Sequence, residues 1–176
     1  MTAEYQVLPN GTSYSASIQV TDVNKYAFYD VGVMGEQVPK TVSNVSMDGP
    51  LCKNCSYNWS GSSAIAFDMG NYTIHYSAPL QTSELQGTFY DQYNVNVTLP
   101  AEFDVRNPFL GEVSSGANVT RFPDNTTLIR WNNVTYFDVR FYDQGREDLL
   151  FLFGNFWIVI AIVLLLPFAL TMKKRD

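Results

Sequence analysis

Residues 13–20 read SYSASIQV, with Tyr14, Ala16, Ile18 and Val20 on one side of an extended chain and Ser13, Ser15, Ser17 and Gln19 on the other. Successive side chains of a strand point to opposite faces, so this alternation predicts a strand with one face on a core and the other in water. The same period recurs further along. Tyr72, Ile74, Tyr76 and Ala78 oppose Thr73, His75 and Ser77, and Tyr93, Val95, Val97 and Leu99 oppose Asn94, Asn96 and Thr98. A last run sets Thr135, Phe137, Val139 and Phe141 against Tyr136, Asp138, Arg140 and Tyr142. Turn signals at Asn10-Gly11, Asp48-Gly49-Pro50, Gly70-Asn71 and Pro123-Asp124-Asn125 separate the runs.

No stretch before Leu149 keeps a helical period. The expected fold is therefore all-β, an antiparallel immunoglobulin-like sandwich. Asp68, Gly70 and Tyr72 match the D-x-G-x-Y form of a tyrosine corner, although Ile74 stands where an antibody domain has cysteine. Two divisions of residues 1–148 fit the pattern. One is a single enlarged sandwich; the other splits at the polar stretch 81–87 into an immunoglobulin-like unit, 1–80, and a membrane-proximal β unit, 81–147.

Residues 149–172 read LLFLFGNFWIVIAIVLLLPFALTM, 24 residues without a charge. As a helix this is roughly 36 Å, enough to cross a ~30 Å hydrocarbon core. A soluble helix needs a polar face, and this one has none. Gly154 and Asn155 interrupt its first third, and Pro167 is a kink point near its far end. Arg146, Glu147 and Asp148 precede the span; Lys173, Lys174 and Arg175 follow it. Basic residues stay on the cytoplasmic side, so residues 1–148 are expected outside the cell membrane and 173–176 form a cytoplasmic tail. Phe151, Phe153, Phe156 and Trp157 then form an aromatic belt at the outer interface. The charged terminus distinguishes the segment from a lipid-anchor signal. The opening MTAEYQVLPN has no basic or apolar signal region, so an export signal is expected to precede it in the native precursor.

Composition agrees with an exterior domain. The net charge of −6 over 176 residues argues against a nucleic-acid partner, because phosphate binding needs a basic surface. Nine of fourteen asparagines stand in N-x-Ser/Thr sequons: Asn10, Asn44, Asn54, Asn58, Asn71, Asn96, Asn118, Asn125 and Asn133. Chance gives roughly two, which points to N-glycans, while asparagine, serine and threonine are also common in β-rich surface turns.

Little in the chain promises chemistry. Cys52 and Cys55 enclose two residues, and outside the cell the expected state is a structural disulfide. Redox chemistry would need a thiol at a helix N-terminus, and a zinc site would need a second ligand pair; neither is visible. His75 is the only histidine, so any Ser-His-Asp arrangement must be built on it, and no nucleophile elbow accompanies it. Asp104, Asp124, Asp138, Asp143, Glu147 and Asp148 lack the spacing of a calcium loop, and no phosphate-binding or dinucleotide motif occurs. No cofactor and no metal are expected.

From Tyr93 onward, Leu99-Pro100, Asn107-Pro108, Leu110-Gly111, Val113, Ile129-Arg130-Trp131 and the strand Val139 to Tyr142 resemble an uncharacterised family of archaeal membrane-anchored surface proteins, found in halophiles and methanogens. The resemblance implies a β-rich exported domain with a C-terminal anchor and brings no catalytic residues. The expected function is a non-enzymatic glycosylated surface protein that binds other envelope components. Two alternatives come from other classes: an accessory subunit of a membrane complex packing through Gly154 and Asn155, and a thiol oxidoreductase using Cys52 and Cys55.

Overall fold

The computed structural model describes residues 1–172 apart from Val33 and Gln81, with side chains described through residue 165. The strands are β1 (Thr2–Val7), β2 (Ser13–Ala27), β3 (Tyr29–Val31), β4 (Gln37–Pro39), β5 (Ser43–Asp48), β6 (Asn58–Trp59) and β7 (Ala64–Pro79). They continue as β8 (Glu84–Leu99), β9 (Phe103–Asp104), β10 (Glu112–Val113), β11 (Asn118–Arg121), β12 (Thr127–Arg140) and β13 (Tyr142–Asp143), before the helix α1 (Gln144–Met172). Nine strands share one sheet in the order β10-β12-β8-β1-β2-β7-β5, with β11 on β12 and β6 on β7. The remaining strands form two ribbons, β3 with β4 and β9 with β13. β1 runs antiparallel to β2 but parallel to β8, with Ala3 opposite Val95 and Tyr5 opposite Val97.

Two long antiparallel strand pairs, β2–β7 and β8–β12, each break register near the middle. Both breaks are built the same way. Asp22 in β2 and Asn133 in β12 take positive φ, 54° and 58°, a conformation that short polar side chains tolerate best. A bulge leaves its extra residue without a ladder partner. An asparagine on the partner strand supplies one: Asn71 Oδ1 accepts the Asp22 N–H at 3.0 Å, and Asn94 Oδ1 accepts the Asn133 N–H at 3.1 Å. Asn94→Ala is expected to cost about 1 kcal/mol and Asn94→Asp, which keeps the acceptor, clearly less, as read from denaturation midpoints.

Beyond the bulges the strands fold back. Phe137 lies 5.0 Å from Tyr5 and 5.5 Å from Trp131, and Phe28 lies 5.0 Å from Tyr76. The sheet thus buries its own concave face, where Tyr14, Ala16, Ile18, Val95, Val97, Leu99, Ile129 and Trp131 make the core. Gly87 pairs with Phe137, and a Cβ there would come within 2.5 Å of that ring. Only glycine leaves the ring its place.

At the end where β1 meets β2 and β8 meets β12, Asp104 joins two loops. It accepts bonds from Arg106 Nη2 at 2.6 Å and Arg121 Nη1 at 2.8 Å, besides the backbone N–H groups of Val105 and Arg106. Burial pushes this carboxyl up, but the Arg106 and backbone bonds outweigh burial and hold it down at about 2. A depressed carboxylate stabilises the fold above its ordinary value of 3.8 and loses that contribution as pH falls toward 2. Asp104→Asn should therefore flatten the loss of stability between pH 6 and pH 2. The arginines are open to solvent, so the expected difference is roughly 1 kcal/mol.

Several expectations change form. The chain is mostly β with one apolar C-terminal helix; the described residues form a nine-stranded sheet that includes the parallel β1–β8 pairing, with two small ribbons, and an immunoglobulin-like pair of antiparallel sheets is not seen among them. Asp68, Gly70 and Tyr72 all lie inside β7, so the chain turns no corner there, and Gly70-Asn71 marks a bulge instead of a turn. The split at 81–87 fails, because β8 begins at Glu84 and pairs with β1 from the N-terminal part. Tyr142, expected on the solvent face, is buried and accepts the Asn107 N–H at 3.1 Å.

Contacts divide the chain into Met1–Tyr142 and Asp143–Asp176. α1 has 29 residues, about 43 Å of helix, and no side chain of Gln144–Leu165 is buried. It starts five residues before the expected Leu149 because Asp143 Oδ1 accepts the Arg146 N–H at 2.9 Å as an N-cap. The helix continues through Pro167. Lys173, Lys174 and Arg175 lie outside the described residues.

Candidate binding cleft

β1 joins the two long strand pairs only up to their bulges. Past that point the β2–β7 arm and the β8–β12 arm separate, leaving a cavity of about 310 Å³. One wall is the end of β2 with Phe28 and Tyr29, the other is Gln86 to Asp91, and the floor includes Tyr5, Tyr76 and Tyr93. Phe89 stacks on Tyr93 at 4.3 Å, and Tyr26 meets Phe28 edge-on at 5.2 Å. The β3–β4 ribbon links the walls: Tyr29 OH donates to Thr88 O, Gln86 Nε2 to Val31 O and Gln37 Nε2 to Tyr90 OH, all within 3.0–3.1 Å.

Lys40 closes one end. It is buried, pairs with Asp30, donates to Tyr14 OH and sits 5.2 Å above the Tyr14 ring. Burial pulls its pKa down, and Tyr14 and Asp30 more than reverse this, leaving it above the ordinary lysine value. A second cavity of about 640 Å³, lined by Asp30, Thr41, Thr82 and Glu84 among others, opens on the other side of Lys40. Burial also raises the phenols of Tyr5, Tyr26 and Tyr76, and it pushes Tyr93 up to about 12 with help from Asp91. Such phenols stay neutral at physiological pH and donate hydrogen bonds without taking protons. With Lys40 paired to Asp30, the cleft presents mainly aromatic rings and neutral phenols, with Lys25 and Asp91 also in its lining.

Sequence reasoning missed this site. Tyr76 and Tyr93 read as ordinary core positions, Tyr5, Tyr26 and Tyr29 fell outside the alternating runs, and the Lys40–Asp30 pairing depends on a ribbon too short to show a period.

The residues that sequence did single out lie elsewhere. Cys52 and Cys55 stand at disulfide distance, their Cα atoms 5.4 Å apart, in a loop held by Gly49 and Cys52 and by Asp48 Oδ1 accepting the Asn54 N–H. Neither cysteine lies on a helix. Closing so short a loop is worth about 2 kcal/mol in the chain-entropy account, so replacing both cysteines with alanine should lower stability by that amount and leave the fold intact. Chemical denaturation of the variant measures it.

His75 does assemble a Ser-His-Asp set on the outer face of the sheet. Ser17 Oγ is 2.7 Å from Nδ1, and Asp48 Oδ2 is 3.4 Å from Nε2. Acyl transfer also needs donors aimed at a developing oxyanion. Ser17 sits on β2, laddered to β1 and β7 on both sides, so its own backbone is part of the sheet. Among the described residues, no three histidine, cysteine or acidic side chains group as metal ligands.

The sequon asparagines have backbone work. Asn44, Asn54, Asn125 and Asn133 take positive φ; Asn71 caps a bulge, and Asn10 Oδ1 accepts the Thr12 N–H in a turn. Asn58 and Asn118 are exposed strand residues, and Asn96 is half-buried in β8.

No curated protein matches the chain. A family model described as a family of unknown function, DUF5803, matches residues 2–173, which takes in every strand and the helix. The chain belongs to that family.

Proposed function

We propose that this is a non-enzymatic surface protein, anchored by α1, with its β unit outside the cell and its tyrosine-lined cleft binding an envelope component. The observation that carries the reading is a β unit followed in the same chain by a long apolar helix with no buried side chain among its described residues, Gln144–Leu165. In water, that much exposed apolar surface would be costly; in a bilayer it is the favourable state. The archaeal envelope is the setting that the sequence resemblance suggests. N-glycans belong on the exposed sequons without backbone duty, Asn58 and Asn118, before the others.

Two measurements on native membranes test the reading. Alkaline carbonate should leave the protein in the membrane fraction, and peptide mass spectrometry should find glycans on Asn58 or Asn118. Extraction by carbonate together with unmodified asparagines would sink it. Gentle detergent extraction followed by mass analysis addresses the accessory-subunit alternative, which requires a stoichiometric partner.

A further inference from the structure

The β3–β4 ribbon and the turn from β7 to β8 both line the cavity of about 640 Å³ on the far side of Lys40. Asp30, Pro39 and Lys40 come from the ribbon margin, and Leu80, Thr82 and Glu84 from the other. Backbone bonds hold both margins in place. The Lys40 N–H donates to Phe28 O at 3.1 Å, the Leu80 N–H to Thr12 O at 2.8 Å and the Phe141 N–H to Ser83 O at 2.9 Å. The cavity is therefore preformed, and its size falls within the roughly 300–1,000 Å³ of small-molecule sites. Lys40 gives it a polar anchor. Its side chain is only 8% exposed, and an ammonium has three N–H donors. Asp30 Oδ1 and Tyr14 OH take two of them, and among the described residues nothing takes the third. A buried donor left without an acceptor costs about 1–3 kcal/mol, so this one calls for an oxygen that the described chain does not supply.

We propose that this cavity binds one ring of a neutral sugar. The carboxylates of Asp30 and Glu84 accept hydroxyl hydrogens, Lys40 donates its third N–H to a sugar oxygen, and Pro39 and Leu80 cover the C–H face of the ring. An ionised carboxylate only accepts, and a hydroxyl bonded to it makes a stronger bond than one bonded to a neutral oxygen. The hydroxyls of Thr41 and Thr82, which also line the cavity, can either donate or accept. A ligand carrying many hydroxyls matches such a set better than an apolar one does. Charge selects against ions. The charged side chains of the lining are Lys40, Asp30 and Glu84, so an ion of either sign meets a like charge there. The proposal stands apart from the anchoring by α1 and from the cleft: of the residues used here, only Lys40 also lines the cleft.

The test uses the full chain in phosphatidylcholine nanodiscs and saturation-transfer NMR titrations. The ligands are the methyl glycosides of glucose, galactose and mannose, with methyl glucuronide as an anion and glucosamine as a cation. At least one neutral glycoside should bind saturably and more tightly than either ion. Glu84→Gln and Asp30→Asn keep an acceptor oxygen and lose its charge, so each should weaken that binding about fivefold. Tyr90→Ala removes a ring that is 84% exposed and lines the cleft alone, and should leave sugar binding unchanged. Near-UV circular dichroism shows which variants keep the fold, and Glu84→Gln, on a half-exposed residue, decides the matter if Asp30→Asn unfolds. No saturable binding of any neutral glycoside, tighter binding of either ion, or an affinity that Glu84→Gln leaves unchanged would overturn the proposal. Binding lost in Tyr90→Ala would also overturn it, because the sugar would then sit in the cleft.

Discussion

Trp131→Ala is expected to destabilise the β unit by about 3–5 kcal/mol, the range for removing a large aromatic side chain from a packed core. Trp131 is 1% exposed and lies just before the β12 bulge, where it packs on Phe137 from the far side of that bulge. Its indole Nε1 donates to the Ser114 carbonyl at 3.3 Å, so alanine would leave a cavity and an unpaired carbonyl together. A domain of this size has about 5–15 kcal/mol in total, and the variant should unfold at markedly lower denaturant concentration. Phe137→Leu, which keeps most of the volume, should cost far less. Equal midpoints for Trp131→Ala and the parent would mean that the two parts of β12 on either side of its bulge do not pack on each other.

The second large effect concerns α1. Ile158→Arg combined with Ile162→Arg places two cations on one face near the middle of the apolar stretch. At about 2.5–3.5 kcal/mol each, they oppose insertion by roughly 5–7 kcal/mol. The double variant should leave the membrane fraction for the soluble or aggregated one, whereas Ile158→Leu with Ile162→Leu should stay. Unchanged membrane retention of the arginine variant would mean that α1 does not hold the protein there.

The sequence made the strands legible because their alternation is local. Tyr14, Ile18, Val95 and Val97 were assigned to the core from period two alone, and all are buried. It left the topology hidden, since nothing in residues 2–7 announces that β1 slots between β2 and β8. The bulges were hidden for a different reason. Asp22 and Asn133 interrupt the period in a way that reads as a polar loop, and their partners Asn71 and Asn94 are 49 and 39 positions away. Asn71 and Asn133 were instead read as glycan acceptors, and a run of Asn-x-Thr cannot by itself distinguish a sugar from a backbone need. Tyr142 was misplaced because its strand, β13, leaves the alternation of β12 to pair with β9. The cleft was illegible because its lining comes from six strands, β1 to β4, β7 and β8, that approach only after the long strand pairs bend.

Protease treatment of intact native cells tests the proposed anchoring of an external β unit by α1. Added protease should remove peptides from residues 1–142 while the cytoplasm stays sealed, and peptides from α1 should remain with the membrane. A β unit untouched in intact cells but digested after lysis would contradict it.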